Sequence, residues 1–154
     1  MAAVSTARHS TLRLETEAST QFIDITDEVE ELIAAAAIRD GIINIQTLHT
    51  TTAIVLNEHE PLLLSDFRTL LSRAAPRAAF YRHDDMDART VNLSPGERAN
   101  GHSHCRAILL GASASLNIVG GRLQRGCWQR IFFVELDGPR TREVSVMLIG
   151  DSAR

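Results

Sequence analysis

The chain has 154 residues, 44% hydrophobic and 23% charged, with sixteen basic residues against nineteen acidic ones and a formal charge of −3. This is an ordinary globular composition with no clustered positive surface for nucleic acid, no apolar run able to span a bilayer and no apolar leader, so one cytoplasmic domain over 1–154 is expected. All sixteen basic residues are arginine, which stays protonated and forms no imine, so Schiff-base chemistry and a phosphate-loop lysine are excluded.

The first predicted element is a half-buried strand in which Leu12 and Leu14 alternate with Arg13 and Glu15. His9, ahead of it, is read as a solvated residue of a frayed end. Phe22 to Ile25 reads as a second strand. Thr26 or Asp27 offers a helix cap, and Val29, Leu32, Ile33, Ala36 and Ala37 recur at helical spacing up to Gly41, placed to stop the helix.

Ile42 to His49 and Ala53 to Leu56 are predicted strands joined through Thr50-Thr51-Thr52. A second helix opens at Pro61, with Leu63, Phe67, Leu70, Leu71 and Ala74 as its apolar stripe and Pro76 ending it. From Tyr81 to Asn100 the chain turns polar, and a loop of that length is usually functional or mobile. His102 to Leu110, stopped by Gly111, favours a helix over a strand. Ser113 to Val119, Cys127 to Leu136 and Glu143 to Ile149 read as strands, with Gly120-Gly121 and Asp137-Gly138-Pro139 as hairpin turns. Strands at both ends of the chain with helices between them argue an α+β fold.

Histidine dominates the candidate chemistry. His49 leaves a strand beside three threonines and precedes Asn57 and Glu58; it could be a base or ligand, but spacing alone favours a half-buried histidine hydrogen-bonded to backbone. His83 lies among Asp84, Asp85 and Asp87, a set able to hold a divalent cation or simply to be solvated. His102 and His104 would share a face on a strand but diverge on a helix, which argues against a chelate made from that pair. Zinc requires three or four converging ligands. Cys105 and Cys127 are too few for a disulfide framework and read as free thiols, reactive or merely packed. Arg106, Arg122, Arg125 and Arg130 offer forked contacts to phosphate oxygens, or a solvated strand face.

Taken together, these residues resemble the YjbQ-like family, known as secondary thiamine-phosphate synthases. The similarity rests on His49-Thr50 with Asn57-Glu58, Tyr81-Arg82-His83, His104-Cys105-Arg106 through Gly111, Gly121-Arg122-Leu123, Gly126-Cys127-Trp128-Gln129 and Glu135 to Arg140, in the family's order. Arg106 stands at the family's lysine, and Cys127 and Arg130 interrupt its Gly-Thr-Trp-Gln-Gly run.

The resemblance implies an antiparallel β-sandwich carrying two to three helices, assembled as a homotrimer with sites near subunit boundaries. It also implies a weak transferase joining an aminopyrimidine diphosphate to a thiazole phosphate. In that reading His49, Glu58, His104 and Arg106 are catalytic, and Thr50, Asn57, Arg106 and Gln129 bind substrate. His49, His83 and His104 would hold a divalent metal, Mg or Zn. The alternatives are a non-catalytic metal- or anion-binding trimer and a hydrolase of small esters or phosphates using metal-activated water.

Overall fold

The computed structural model describes residues 5–152. In chain order the elements are β1 (Ser5–Glu15), β2 (Gln21–Asp24), α1 (Thr26–Ala36), β3 (Ile38–Thr47), β4 (Thr52–Glu58) and α2 (Pro61–Ala74). A short 3-10 turn (Arg82–Asp84) and α3 (Gly101–Leu110) follow, then β5 (Ser113–Val119), β6 (Arg122–Leu123), β7 (Gln129–Glu135) and β8 (Thr141–Ser152). The fold is α+β, with three helices and two antiparallel sheets of order β1-β8-β3-β5-β6 and β2-β7-β4.

Burial of alternate residues explains the larger sheet. Along β3, Ile43, Ile45 and Thr47 are buried while Ile42 and Gln46 are exposed; β8 buries Val144, Val146 and Leu148. These inward residues meet Ile54, Ile131 and Phe133 of the smaller sheet and Val29 and Ile33 of α1 in one core. The other face of the smaller sheet, with Ala53, Phe132 and Val134, packs on Leu64 and Leu71 of α2 and Ala107 of α3 in a second core. The layers are therefore large sheet, small sheet, then α2 and α3, with α1 packed into the core that the two sheets share. Because β7 is covered on both faces, Ile131-Phe132-Phe133-Val134 is a continuous apolar run rather than an alternating one.

Several local expectations change. β1 begins at Ser5 and includes His9, whose ring is 2.9 Å from Ser145 Oγ, because β8 pairs with β1 over its whole length. Neither Thr26 nor Asp27 caps α1. The helix starts at Thr26, and Asp24 accepts from the Thr26 amide and hydroxyl at 3.0 and 2.6 Å. The helix ends at Ala37 in the left-handed region, φ 51°. Gly41 instead lies inside β3 against Gly150 of β8, where a Cβ at 41 would fall 2.2 Å from the Ile149 carbonyl oxygen. On α2 the inward residues are Leu64, Phe67 and Leu71, while Leu70 is exposed. Gly120-Gly121 does join an antiparallel pair, β5 and β6, but Asp137-Gly138-Pro139 is not a hairpin, since β7 and β8 belong to different sheets.

That last difference positions the site. The chain passes between the sheets six times, and three of those crossings, from β1 to β2, from β3 to β4 and from β7 to β8, are bonded together at one end. The Thr16 amide reaches the Arg140 carbonyl at 3.2 Å, Leu136 reaches Thr51 at 3.2 Å and Leu48 reaches Glu143 at 3.4 Å.

Candidate functional site

Polar groups among the crossings need partners, and the largest set surrounds Glu135. Its carboxylate is fully buried, paired with Arg142 at 2.6 and 2.7 Å, and also accepts from Thr16 and from the amides of Asp137 and Gly138. Burial pulls this carboxyl upward, but Arg142 and the amide donors outweigh it and hold it below its ordinary value. Arg142 also donates to Thr51 at 3.1 Å, locking the β3–β4 crossing to the β7–β8 crossing.

His49 sits on the β3–β4 crossing. Its Nε2 accepts the Glu143 amide at 2.9 Å, so the neutral ring carries its proton on Nδ1. The backbone-bonded reading of His49 is thus realised, and the same ring lines an open cavity of about 760 Å³. Burial, then the Arg142 charge, lowers its pKa, which keeps it neutral.

The polar excursion supplies another wall. Asp84 Oδ1 accepts the amides of Asn100 and Gly101 at 2.9 and 2.8 Å and closes the loop onto the start of α3. Gly101 is required there, since a Cβ would lie 2.5 Å from Tyr81 Cβ. Arg89 pairs with Glu97 at 2.5 Å and donates to the carbonyls of Val91 and Asn92, giving the loop an internal clasp. His83, from this loop, and His104, from α3, meet with ring centroids 4.5 Å apart. Burial, then the His83 charge, lowers the His104 pKa. His102 points elsewhere: it is buried beside Ser103 and Tyr81, and its pKa too is lowered by burial and then by Arg106.

His49, Thr50, His83 and His104 therefore line one cavity, with Arg89, Glu97, Arg98, Asn100, Asp137, Arg140 and Arg142. Arg140 pairs with Asp137 at 2.5 Å. Among the described residues, Arg98 has no ion pair or hydrogen bond; its guanidinium lies over Gly138, 2.9 Å from where a Cβ would be.

Other expected members lie elsewhere. Arg106 is 5% exposed and donates to the Ala75 carbonyl and Thr20 Oγ1, both at 3.0 Å; it ties α3 to the end of α2 and is not part of the cavity lining. Asn57 and Glu58 end β4, opposite Arg130 and Gln129 of β7, about 20 Å along the strand from the crossing. There Gln129 holds the Gly126 amide, and Glu58 borders a separate cavity with Asp24, His59, Cys127, Trp128 and Arg130. The arginine set Arg106, Arg122, Arg125 and Arg130 does not gather either, because Arg125 pairs with Glu30 and Arg130 with Asp24 and Asp27. Asp84 and Asp85 are engaged by backbone amides. No group of three His, Cys, Asp or Glu among the described residues is arranged to hold a metal ion, so His49, His83 and His104 share a cavity without forming a ligand set. Both cysteines are free and exposed.

Residues 10–151 match the family described as UPF0047 protein YjbQ-like. A UPF0047 protein of Methanothermobacter thermautotrophicus is 40% identical over 139 residues, covering 90% of each chain. One of Archaeoglobus fulgidus is 41% identical, covering 88% of this chain and 96% of that protein. The crystal structure of a YbjQ-like protein from Sulfolobus solfataricus superposes with a TM-score of 0.87 at 34% identity, covering 96% of this chain and 100% of that one. The chain belongs to the YjbQ-like family.

Proposed function

We propose that this member of the YjbQ-like family is a transferase for small phosphorylated molecules, acting in the cavity at the sheet crossings. The observation that carries the reading is the lining itself: four guanidiniums, one of them unpaired, and three imidazoles around about 760 Å³, a volume suited to a metabolite-sized ligand. Guanidinium forks match phosphate oxygens. Arg98 and Arg140 grip the anionic end, and the neutral imidazoles of His49 and His104 donate one hydrogen bond each.

The finer reading is a weak thiamine-phosphate synthase. A thiazole nitrogen lone pair forms the new C–N bond, the C–O bond to the diphosphate breaks, and pyrophosphate leaves with that electron pair. Such a step asks the protein for charge stabilisation on the leaving group and little covalent help. The His49, His83 and His104 set does not fit a protein-held Zn²⁺ site. Mg²⁺ entering on a diphosphate needs only one or two carboxylates, and Glu97 and Asp137 are those lining the cavity.

The test is formation of thiamine phosphate and pyrophosphate from the two phosphorylated halves. Substitution of both His49 and His104 by alanine, with folding checked by circular dichroism, is expected to lower the rate about a hundredfold or more. An unchanged rate contradicts the reading. An anion-binding protein without turnover would bind pyrophosphate and make no product. A hydrolase using metal-activated water finds no three-ligand group among the described residues to support it.

We place the protein in the cytoplasm as a homotrimer. Among the described residues no helix is long and apolar enough to cross a membrane. The outward face of the large sheet supports self-association. Its three central rows, Ala7–Ile149–Ile42–Asn117, His9–Met147–Asn44–Ser115 and Thr11–Ser145–Gln46–Ser113, carry no Asp, Glu or Arg. Charge depletion of this kind marks the core of a protein–protein contact.

A further inference from the structure

Residues 86–98 form a unit bonded to itself and rooted at its ends. Asp85 opens a turn, accepting the Ala88 amide on its carboxylate at 3.1 Å and the Arg89 amide on its carbonyl at 2.9 Å. Ser94 and Glu97 make a second turn, with amide bonds of 3.1 and 3.2 Å. Arg89 braces the two, pairing with Glu97 and donating to the Val91 and Asn92 carbonyls. Among the described residues, every hydrogen bond of 86–98 stays within 85–98. The one ion pair that leaves the segment joins Glu97 to His83 at 3.7 Å, at its root. The root itself is Asp84, which holds the amides of Asn100 and Gly101. Ala99, between Arg98 and that anchor, is small and exposed. A segment tied internally and free of bonds to the body along its length moves as one piece about its ends, at less cost than a packed sheet opens.

Such a movement would reshape the cavity, because the segment supplies eight of the eighteen residues that line it. It also carries apolar surface that nothing covers. Val91 is 67% exposed, and Leu48, on the β3–β4 crossing, is 55% exposed. Both line the cavity, from different walls. A lone exposed aliphatic side chain has no special meaning. Two of them on separate walls of one open cavity are a surface that closure removes from water.

We propose that residues 86–98 are a lid that closes on a bound anion, bringing the unpaired Arg98 onto it and latching through Val91 against Leu48. The present arrangement, with both side chains uncovered, is the open state. Arg89 is a positioning residue: its brace makes the lid one body, so that closure at Val91 carries Arg98 with it. The inference rests on the reading of the cavity as a phosphorylated-ligand site.

The experiment follows hydrogen exchange by mass spectrometry and pyrophosphate affinity by calorimetry, on the full chain. Saturating pyrophosphate should slow exchange of the 86–98 amides at least about fivefold and leave the 124–128 turn, outside the cavity, unchanged. Leu48→Ser and Val91→Ser should each weaken pyrophosphate about three- to tenfold. The double variant should lose no more than either single one, since each removes the same contact, whereas in the unliganded protein the two shifts in urea midpoint should add. Arg89→Leu should speed 86–98 exchange in the unliganded protein at least about fivefold. Binding without slower exchange in 86–98 overturns the lid and leaves the anion cavity standing. Affinity losses that multiply in the double variant, or midpoints that fail to add, overturn the latch in the same way, and unchanged exchange in Arg89→Leu overturns the brace. Failure of the unmodified protein to bind pyrophosphate overturns the cavity reading itself.

Discussion

Arg106 and Arg98 separate what a side chain's neighbours in sequence announce from what its neighbours in space decide. Arg106, in the His104-Cys105-Arg106 stretch, is expected at a phosphate, yet it is buried and committed to Ala75 and Thr20. Arg106→Ala should lower unfolding free energy by about 2–3 kcal/mol in urea titration, the scale of buried hydrogen bonds to a charged group, and leave pyrophosphate affinity unchanged. Arg98→Ala should do the reverse, weakening pyrophosphate about tenfold or more with little effect on stability. His49, His83 and His104 were brought together by the family resemblance rather than by spacing, since His83 leaves a short 3-10 turn of the polar excursion and not a strand or long helix. Arg98 was not legible, because its place over Gly138 depends on how the 81–100 excursion folds back through Asp84, Arg89 and Glu97.

At the scale of elements, periodicity located the helices and most strands, including β5 at Ser113–Val119, because burial of one face leaves a clear pattern. It misassigned partners. Gly41 reads as a helix stop, yet its requirement is the close approach of β3 to β8 at Gly150, a contact between residues more than a hundred positions apart. Asp137-Gly138-Pro139 has hairpin composition, but Glu135 and Arg142 on either side pin the turn between two sheets. Arg142→Leu, which strands a buried carboxylate, should cost about 3–5 kcal/mol in urea titration, and Arg142→Leu with Glu135→Leu should cost much less. Equal losses in the single and double variants would show that the pair does not hold the crossings. Asn57, Glu58 and Gln129 illustrate the same limit: β4 begins at the crossing that carries His49, but its length takes Asn57 and Glu58 to the opposite end of the sheet.

For the whole molecule, charge and assembly give two expectations. His49, His102 and His104 have pKa values held below 6.5, so between those values and 6.5 the unfolded chain binds more protons. Their contribution to stability is complete above about pH 7 and is lost as pH falls through that window. Asp24, where burial is outweighed by Thr26 and Arg130 and the carboxyl titrates at about 2, and Glu135, also lowered, act in the same direction at more acid pH. Their stabilisation is lost as pH falls below the ordinary carboxylate range. Urea midpoints should therefore fall in two stages on acidification, the first shrinking in His49→Gln with His104→Gln. Light scattering should give a trimer mass that drops to the monomer's in Asn44→Glu with Met147→Glu, placed at the centre of the uncharged sheet face; a monomeric unmodified protein contradicts that assembly.

The six histidines permit the most direct test of the central claim, that the cavity at the sheet crossings takes a phosphorylated ligand. Imidazole resonances are followed by NMR as pyrophosphate is added. The account predicts that His49, His83 and His104 shift together with one dissociation constant while His9 and His59 stay in place. Stationary signals from those three, or movement confined to His59, would contradict it.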